Sequence, residues 1–135
     1  MSVAHTWRGY GSAIFLEFGS LRPRTRRDGS PAQPEGTFGA MIEWSWRIES
    51  ERAVVCGSWS DDAVLEAGLS ALRGTAVTMI ETFEKLPKLA IGLSNGCRVL
   101  SFMTSAGDPQ WTLFDRRSSP TRWIHVREGR LVEEP

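Results

Sequence analysis

The chain has 135 residues, of which 41% are hydrophobic and 24% are charged, and its 16 basic residues balance 16 acidic ones. These values are typical of one ordinary globular domain spanning residues 1–135. The lack of a basic excess argues against a partner such as nucleic acid or an anionic membrane surface. No apolar run approaches the roughly 18 residues of a membrane span, and the first residues carry no secretory signal, so we expect a cytoplasmic protein.

Residues 13–18 predict the first strand, with Ile14, Leu16 and Phe18 on one face. The composition then changes, because residues 19–39 are rich in arginine, glycine and proline. This stretch is longer than ordinary connections between elements, and we expect a long mobile loop at 19–39. Its basic cluster lacks interleaved aromatic residues, so base stacking is not expected there; the cluster consists of Arg22, Arg24, Arg26 and Arg27.

Residues 41–49 form the most regular strand pattern of the chain. Ile42, Trp44 and Trp46 alternate with polar residues such as Arg47, as in an antiparallel sheet covered on one side. The alternation predicts that both tryptophans point into the core and that Arg47 faces solvent. Residues 53–59 are expected to return as a second strand.

One short helix is predicted after Ser60-Asp61-Asp62, because serine can cap free backbone N–H groups and aspartates suit the positive end of the helix dipole. An apolar stripe at helical spacing follows, made of Val64, Leu65, Leu69 and Leu72. Gly74 is expected to end the helix in a left-handed conformation.

The C-terminal half reads as successive strands joined by hairpins. Asn95-Gly96 lies between two apolar runs and predicts a type I′ turn, with Leu93 opposite Arg98 and Ile91 opposite Leu100. A final hairpin is expected around Glu128-Gly129. The fold class predicted from the whole pattern is α+β, a mostly antiparallel sheet of about eight or nine strands with one short helix packed on it.

No pattern in the chain indicates a catalytic residue set, a cofactor site or a metal site. His5 and His125 are the only histidines, and His5 lies in a segment expected to be frayed. Cys56 and Cys97 are expected to be buried free thiols, as in a reducing compartment. Their spacing supports neither a disulfide nor a metal motif. A nucleophilic pair of either cysteine with His125 has no support in the spacing.

Several segments resemble small bacterial domain families of unknown function, some of which are similar to toxin-immunity proteins. The resemblance rests on structural glycines, leucines and tryptophans in residues 69–74, 89–96, 99–102 and 110–113. It implies a helix leading into a sheet with a hairpin and a following Trp-x-Leu strand. It implies no catalytic residues.

These observations favour a non-enzymatic bacterial protein-binding domain, immunity-type or homo-oligomeric, whose partner is another protein or a second copy. The alternative is a small-molecule-binding domain or an enzyme with a pocket between helix and sheet. The residues that we expect to contact a partner are basic, namely Arg22, Arg24, Arg26, Arg27 and Arg47.

Overall fold

A computed structural model describes residues 1–135 as thirteen strands and one helix, which confirms the α+β class with mostly antiparallel strands. The elements, in chain order, are β1 (Val3–Arg8), β2 (Ile14–Phe18), β3 (Arg22–Thr25), β4 (Pro31–Glu35), β5 (Phe38–Ile42), β6 (Ser45–Glu49), β7 (Val54–Gly57), α1 (Asp62–Leu72), β8 (Val77–Phe83), β9 (Lys88–Leu93), β10 (Arg98–Phe102), β11 (Trp111–Asp115), β12 (Arg122–Arg127) and β13 (Arg130–Glu134).

The strands form two large sheets and one separate hairpin. The first sheet has six strands in the order β1-β2-β5-β11-β12-β13, and the second has five in the order β7-β6-β10-β9-β8. The hairpin β3–β4 pairs only with itself. No helix in the structure has the length and apolar character needed to cross a membrane.

The two large sheets share one hydrophobic core. Leu16 and Ile42 of the six-stranded sheet belong to the same cluster of 18 buried residues as Ile48 and Ile91 of the five-stranded sheet. Helix α1 contacts β1 and β7, the strands at one edge of each sheet, and so covers one side of the core. Burial of these apolar side chains is the main source of stability for such a fold.

The tryptophan prediction is half right, because the chain changes sheets between β5 and β6. Trp46 is 2% exposed and belongs to the core, whereas Trp44 is 42% exposed. Trp44 has a left-handed backbone with φ 62°, which turns the chain from the six-stranded to the five-stranded sheet. This turn interrupts the strand alternation, so Trp44 does not point inward as predicted.

The Asn95-Gly96 hairpin forms, but its register differs by one residue from the prediction. Leu93 donates its N–H to the Cys97 carbonyl, and Ile91 lies opposite Val99 rather than Leu100. Only Gly96 has a positive φ, of 83°, so the connection is a three-residue loop with a left-handed glycine instead of a type I′ turn. The two-residue loop with both φ values positive lies at Glu128-Gly129.

Helix α1 begins as predicted near Asp61, but no side chain caps it. The Ser60 hydroxyl instead accepts the Gly57 N–H at 2.9 Å. Val64 is exposed, and Gly68 takes its place on the buried stripe beside Cys56. The helix therefore rests close to β7, because glycine leaves no side chain between them.

The N-terminal segment forms a strand where fraying was expected. His5 lies in β1 and its Nε2 is 2.7 Å from Gln33 Oε1. The hydrophobic pattern of the sequence does not predict this strand, because its buried side chains are not all apolar. Thr6 is fully buried and donates to the Leu69 carbonyl, at 2.9 Å, which ties β1 to α1.

Residues 19–39 also contain regular structure where a loop was expected. β3 and β4 pair over Arg22–Glu35 and Thr25–Pro31, and β5 begins at Phe38. Three prolines and four arginines mask the strand pattern of this hairpin. A free-standing two-stranded hairpin buries little apolar surface and tolerates such residues. The mobility of this segment stays a prediction.

Candidate functional site

The largest cleft lies between the outer face of the six-stranded sheet and the hairpin β3–β4. Its volume is about 610 Å³. Four of the nine lining residues are aromatic or apolar and four are charged. The lining consists of Trp7, Phe15, Glu17, Arg24, Glu35, Phe114, Arg116, Thr121 and Trp123.

Strand register places the lining side chains on one face. Trp7 lies opposite Phe15, and Phe114 lies opposite Trp123. Glu17 and Phe114 both lie opposite Gly39, on the two sides of β5. Because directly opposed residues of antiparallel strands project to the same face, all of these side chains leave the sheet away from the core.

The aromatic side chains form two pairs along the cleft. The rings of Trp7 and Phe15 stack with centroids 3.9 Å apart and an angle of 6° between the planes. Those of Phe114 and Trp123 are nearly parallel at 6.5 Å. Flat aromatic surfaces of this kind take apolar or planar groups of a ligand.

A buried ion pair lies at the floor of the cleft. Arg116 Nη1 donates to Glu17 Oε2 at 2.8 Å, and the two side chains are 8% and 2% exposed. The Gly36 N–H donates to the same carboxylate oxygen at 3.0 Å, and Arg116 donates to the Gly36 carbonyl at 2.9 Å. These bonds satisfy charges that would be costly to bury alone.

Gly39 makes room for this ion pair. A Cβ atom at this position would lie 2.9 Å from Arg116 Nη1 and 3.0 Å from Glu17 Oε2. The guanidinium also lies over the Phe114 ring, 5.1 Å from its centroid. A side chain at position 39 would therefore collide with the ion pair.

The cleft is electrically balanced, whereas the hairpin above it is basic. Glu35 forms ion pairs with Arg24 at 3.1 Å and with Arg116 at 3.6 Å, so the two carboxylates of Glu17 and Glu35 offset the two guanidinium groups. Farther out, the Arg26 guanidinium contacts only Ser30 and the Pro31 carbonyl. Arg22 and Arg27 are exposed and make no ion pair.

The structure separates the five arginines predicted to contact a partner. Arg24 lines the cleft, and Arg22, Arg26 and Arg27 lie on the same hairpin. Arg47 lies on the five-stranded sheet instead, where it donates to Glu49 at 3.0 Å and covers the Phe102 ring.

Sequence reasoning missed the aromatic lining and the buried ion pair. The alternation of Ile14, Leu16 and Phe18 predicts a solvated face for Glu17, but the structure buries this side chain. One signal was present, since Phe15 lies on the face of β2 that a half-solvated strand leaves polar. An aromatic residue there indicates that the second face is covered as well.

The two histidines and two cysteines lie outside the cleft lining. His125 is buried beside Glu134, 3.0 Å from its carboxylate, and this hydrogen bond lowers the pKa of Glu134. Burial raises the pKa of the Cys56 thiol, and both cysteines are free. No three histidine, cysteine, aspartate or glutamate side chains gather in a metal-binding arrangement. The cleft itself offers aromatic contact and charged hydrogen bonds.

Comparison of the chain with known proteins gave no significant match to a family model, a curated protein or a solved structure. The resemblance to small bacterial domain families stays a prediction, and the function is inferred from the cleft alone.

Proposed function

We propose that the protein is a non-enzymatic protein-binding domain, and that the cleft with its basic hairpin binds an acidic segment of another protein. The observation that carries the proposal is the combination of an aromatic cleft with unpaired arginines on its rim. An apolar side chain of the partner would enter the cleft, and carboxylates of the same segment would face the hairpin.

The aromatic residues supply the contact area for such an interface. Trp123 lies at the cleft with 37% of its surface exposed. Tryptophan and arginine are the residues most often responsible for binding energy at protein interfaces. Replacing Trp123 by alanine should therefore weaken binding by about 2 kcal/mol.

The hairpin supplies charge that the protein itself does not neutralise. Arg22 and Arg27 are exposed and project from a segment whose backbone pairs only with itself. Rim charges of this kind steer an oppositely charged partner and raise its association rate. Arg47 lies on the other sheet, so a contact through it would be a second, separate one.

Panning a random dodecapeptide library against the purified protein tests the proposal. We expect enrichment of peptides that combine acidic residues with an aromatic or large apolar one. The double variant R22E/R27E should weaken binding of the enriched peptide roughly tenfold.

The matched control for that variant is R52E/R130E. Arg52 and Arg130 are exposed, make no ion pair and lie off the hairpin, and the double reversal changes the net charge equally. Equal losses in the two variants, or enrichment without acidic residues, would contradict the proposal.

A small-molecule-binding domain is the second candidate, favoured by the size of the cleft. Its volume of about 610 Å³ falls in the roughly 300–1,000 Å³ range of small-ligand pockets. The cleft lies between a sheet and the hairpin, not between the helix and a sheet as the sequence predicts. A fragment screen followed by NMR tests it, since a saturable shift of the Trp7 and Trp123 indole N–H signals would favour this candidate.

A further inference from the structure

The two large sheets have four edge strands, and three of them are protected. β1 and β7 both pack against helix α1. β13 carries charged residues along its exposed edge, among them Arg130 and Glu133. Proteins use such covers and charges to prevent pairing with another strand. The fourth edge, β8, lacks both devices over most of its length.

The N-terminal residues cover only the start of β8. Ser2 forms an isolated bridge with Ala76, and the Met1 carbonyl accepts the Val77 N–H at 2.8 Å. A bulge follows between Val77 and Met79. Beyond it, residues 79–83 pair regularly with β9 on one side and with nothing on the other. Glu81 is the only charged residue of the strand.

The hydrogen-bond alternation identifies the free backbone groups of β8. Leu93 donates to the Cys97 carbonyl, so Leu93 and Ile91 direct their backbone groups toward β10. The intervening Gly92 and Ala90 then face β8, and their partners there are Met79 and Glu81. The N–H and C=O groups of Ile80 and Thr82 therefore point away from the sheet, without a partner.

We propose that this edge binds the same edge of a second copy of the chain, in antiparallel orientation with Ile80 opposite Ile80. This register pairs the free groups of each Ile80 with those of the other. It sets Glu81 opposite Met79, so the two carboxylates stay apart. A shift of the two-fold axis to Glu81 would bring like charges face to face, which is destabilising.

A second copy suits the edge because the strand is complementary to itself. Ile80 is β-branched and exposed, and it would form a like pair of the kind that stabilises neighbouring strands. Pairing would join two five-stranded sheets into one of ten strands, and it would lie on the sheet that does not carry the cleft. The dimer would therefore leave both clefts open.

Sedimentation velocity over a series of protein concentrations tests the proposal, with I80K as the test variant. We expect a reversible dimer for the natural protein, and a dissociation constant raised roughly tenfold or more in I80K, because two lysines would face each other. The matched control L131K places lysine at the exposed Leu131 of the β13 edge, and it should dimerise like the natural protein.

A monomeric natural protein at all concentrations would overturn the proposal, as would equal dimerisation of I80K or equal weakening in L131K. The variant I80C tests the register without a new charge. Opposed residues of this kind lie about 5.5 Å apart between Cα atoms, within reach of a disulfide. I80C should crosslink on mild oxidation and T82C should not; the reverse result would overturn the register.

Discussion

Glu17 and Arg116 are separated by 99 residues in the chain, yet their side chains meet at 2.8 Å beneath the cleft. The contact joins β2 to the residue that follows β11, across β5. It also fixes Gly36, at the end of the hairpin, through one bond to each partner. The ion pair thus connects the floor of the cleft to its roof.

Removing one partner of this pair should be more damaging than replacing both. R116M leaves the Glu17 carboxylate buried without its counter-charge, and we expect a loss of about 3–5 kcal/mol in the free energy of unfolding. The double variant E17Q/R116M should lose less than R116M alone. Urea denaturation measures both, with R117A as a control at an exposed arginine. A double variant as unstable as the sum of the single ones would contradict this account.

The two neighbouring tryptophans should differ in their effect on stability. W46A removes a buried ring whose Nε1 donates to the Ser12 carbonyl at 2.6 Å, and we expect a loss of about 3–5 kcal/mol. W44A removes a partly exposed ring from a backbone with φ 62°, so its loss should be smaller. The melting temperatures of both variants measure this difference in stability. Equal losses would show that Trp44 contributes as much as a core residue.

Gly96 should resist substitution because of its backbone conformation. Its φ is 83°, a value that β-branched residues rarely adopt. We expect G96V to lower the melting temperature clearly. The matched variant G96N should do less harm, since asparagine enters the left-handed region more easily. The left-handed assignment fails if the two variants melt at the same temperature.

Limited trypsin digestion should begin at the tip of the β3–β4 hairpin. Arg26 and Ser30 close the turn by a backbone bond of 2.8 Å, so Arg27 lies in the connecting loop. The bond after Arg22 precedes proline and should resist cleavage. We expect the first cut near Arg27, and R27Q should delay it. The hairpin pairs with no other strand, so its tip should be accessible to trypsin. Earlier cleavage at other sites would contradict this prediction.

The Asp115 carboxyl should titrate at unusually low pH. Hydrogen bonds from the Arg117 side chain and backbone lower the pKa of Asp115 from 3.8 to about 2. Because the pKa of Asp115 is lower in the folded state than in the unfolded state, its ionised carboxylate stabilises the fold at pH values above the unfolded-state pKa. This stabilisation is lost as the pH falls toward 2. NMR of the carboxyl carbon should show a higher pKa in R117A. The control R122A removes a smaller contribution and should shift it less.

The strands could be predicted largely from alternation, and the errors occur where two arrangements give the same pattern. Ile42 and Trp46 both point inward and are four residues apart, so the alternation in the sequence runs unbroken through Trp44. In the same way, Val99 and Leu100 are both apolar, and the pattern does not fix which of them faces Ile91. A shift of one residue exchanges the two faces of a strand.

The cleft could not be predicted, because its residues come from distant strands. Phe15 and Phe114 line the same cleft only because both of their strands pair with β5. The order of strands in a sheet does not follow from the local sequence pattern. The arginines of the hairpin were visible as a basic cluster. Their position above an aromatic surface depends on contacts such as that between Gly36 and Arg116.

The chain passes from the six-stranded to the five-stranded sheet at Glu43 and Trp44, and this has a consequence for biosynthesis. β5 is synthesised early, but one of its two neighbours in the sheet is β11, which is synthesised much later. In this pairing Leu113 lies opposite Ala40. Until that late segment leaves the ribosome, the inner strand β5 presents an open edge. Chains with such distant pairings fold slowly and are exposed to aggregation in the interval. Efficient production of this protein should therefore depend on protection of the nascent chain.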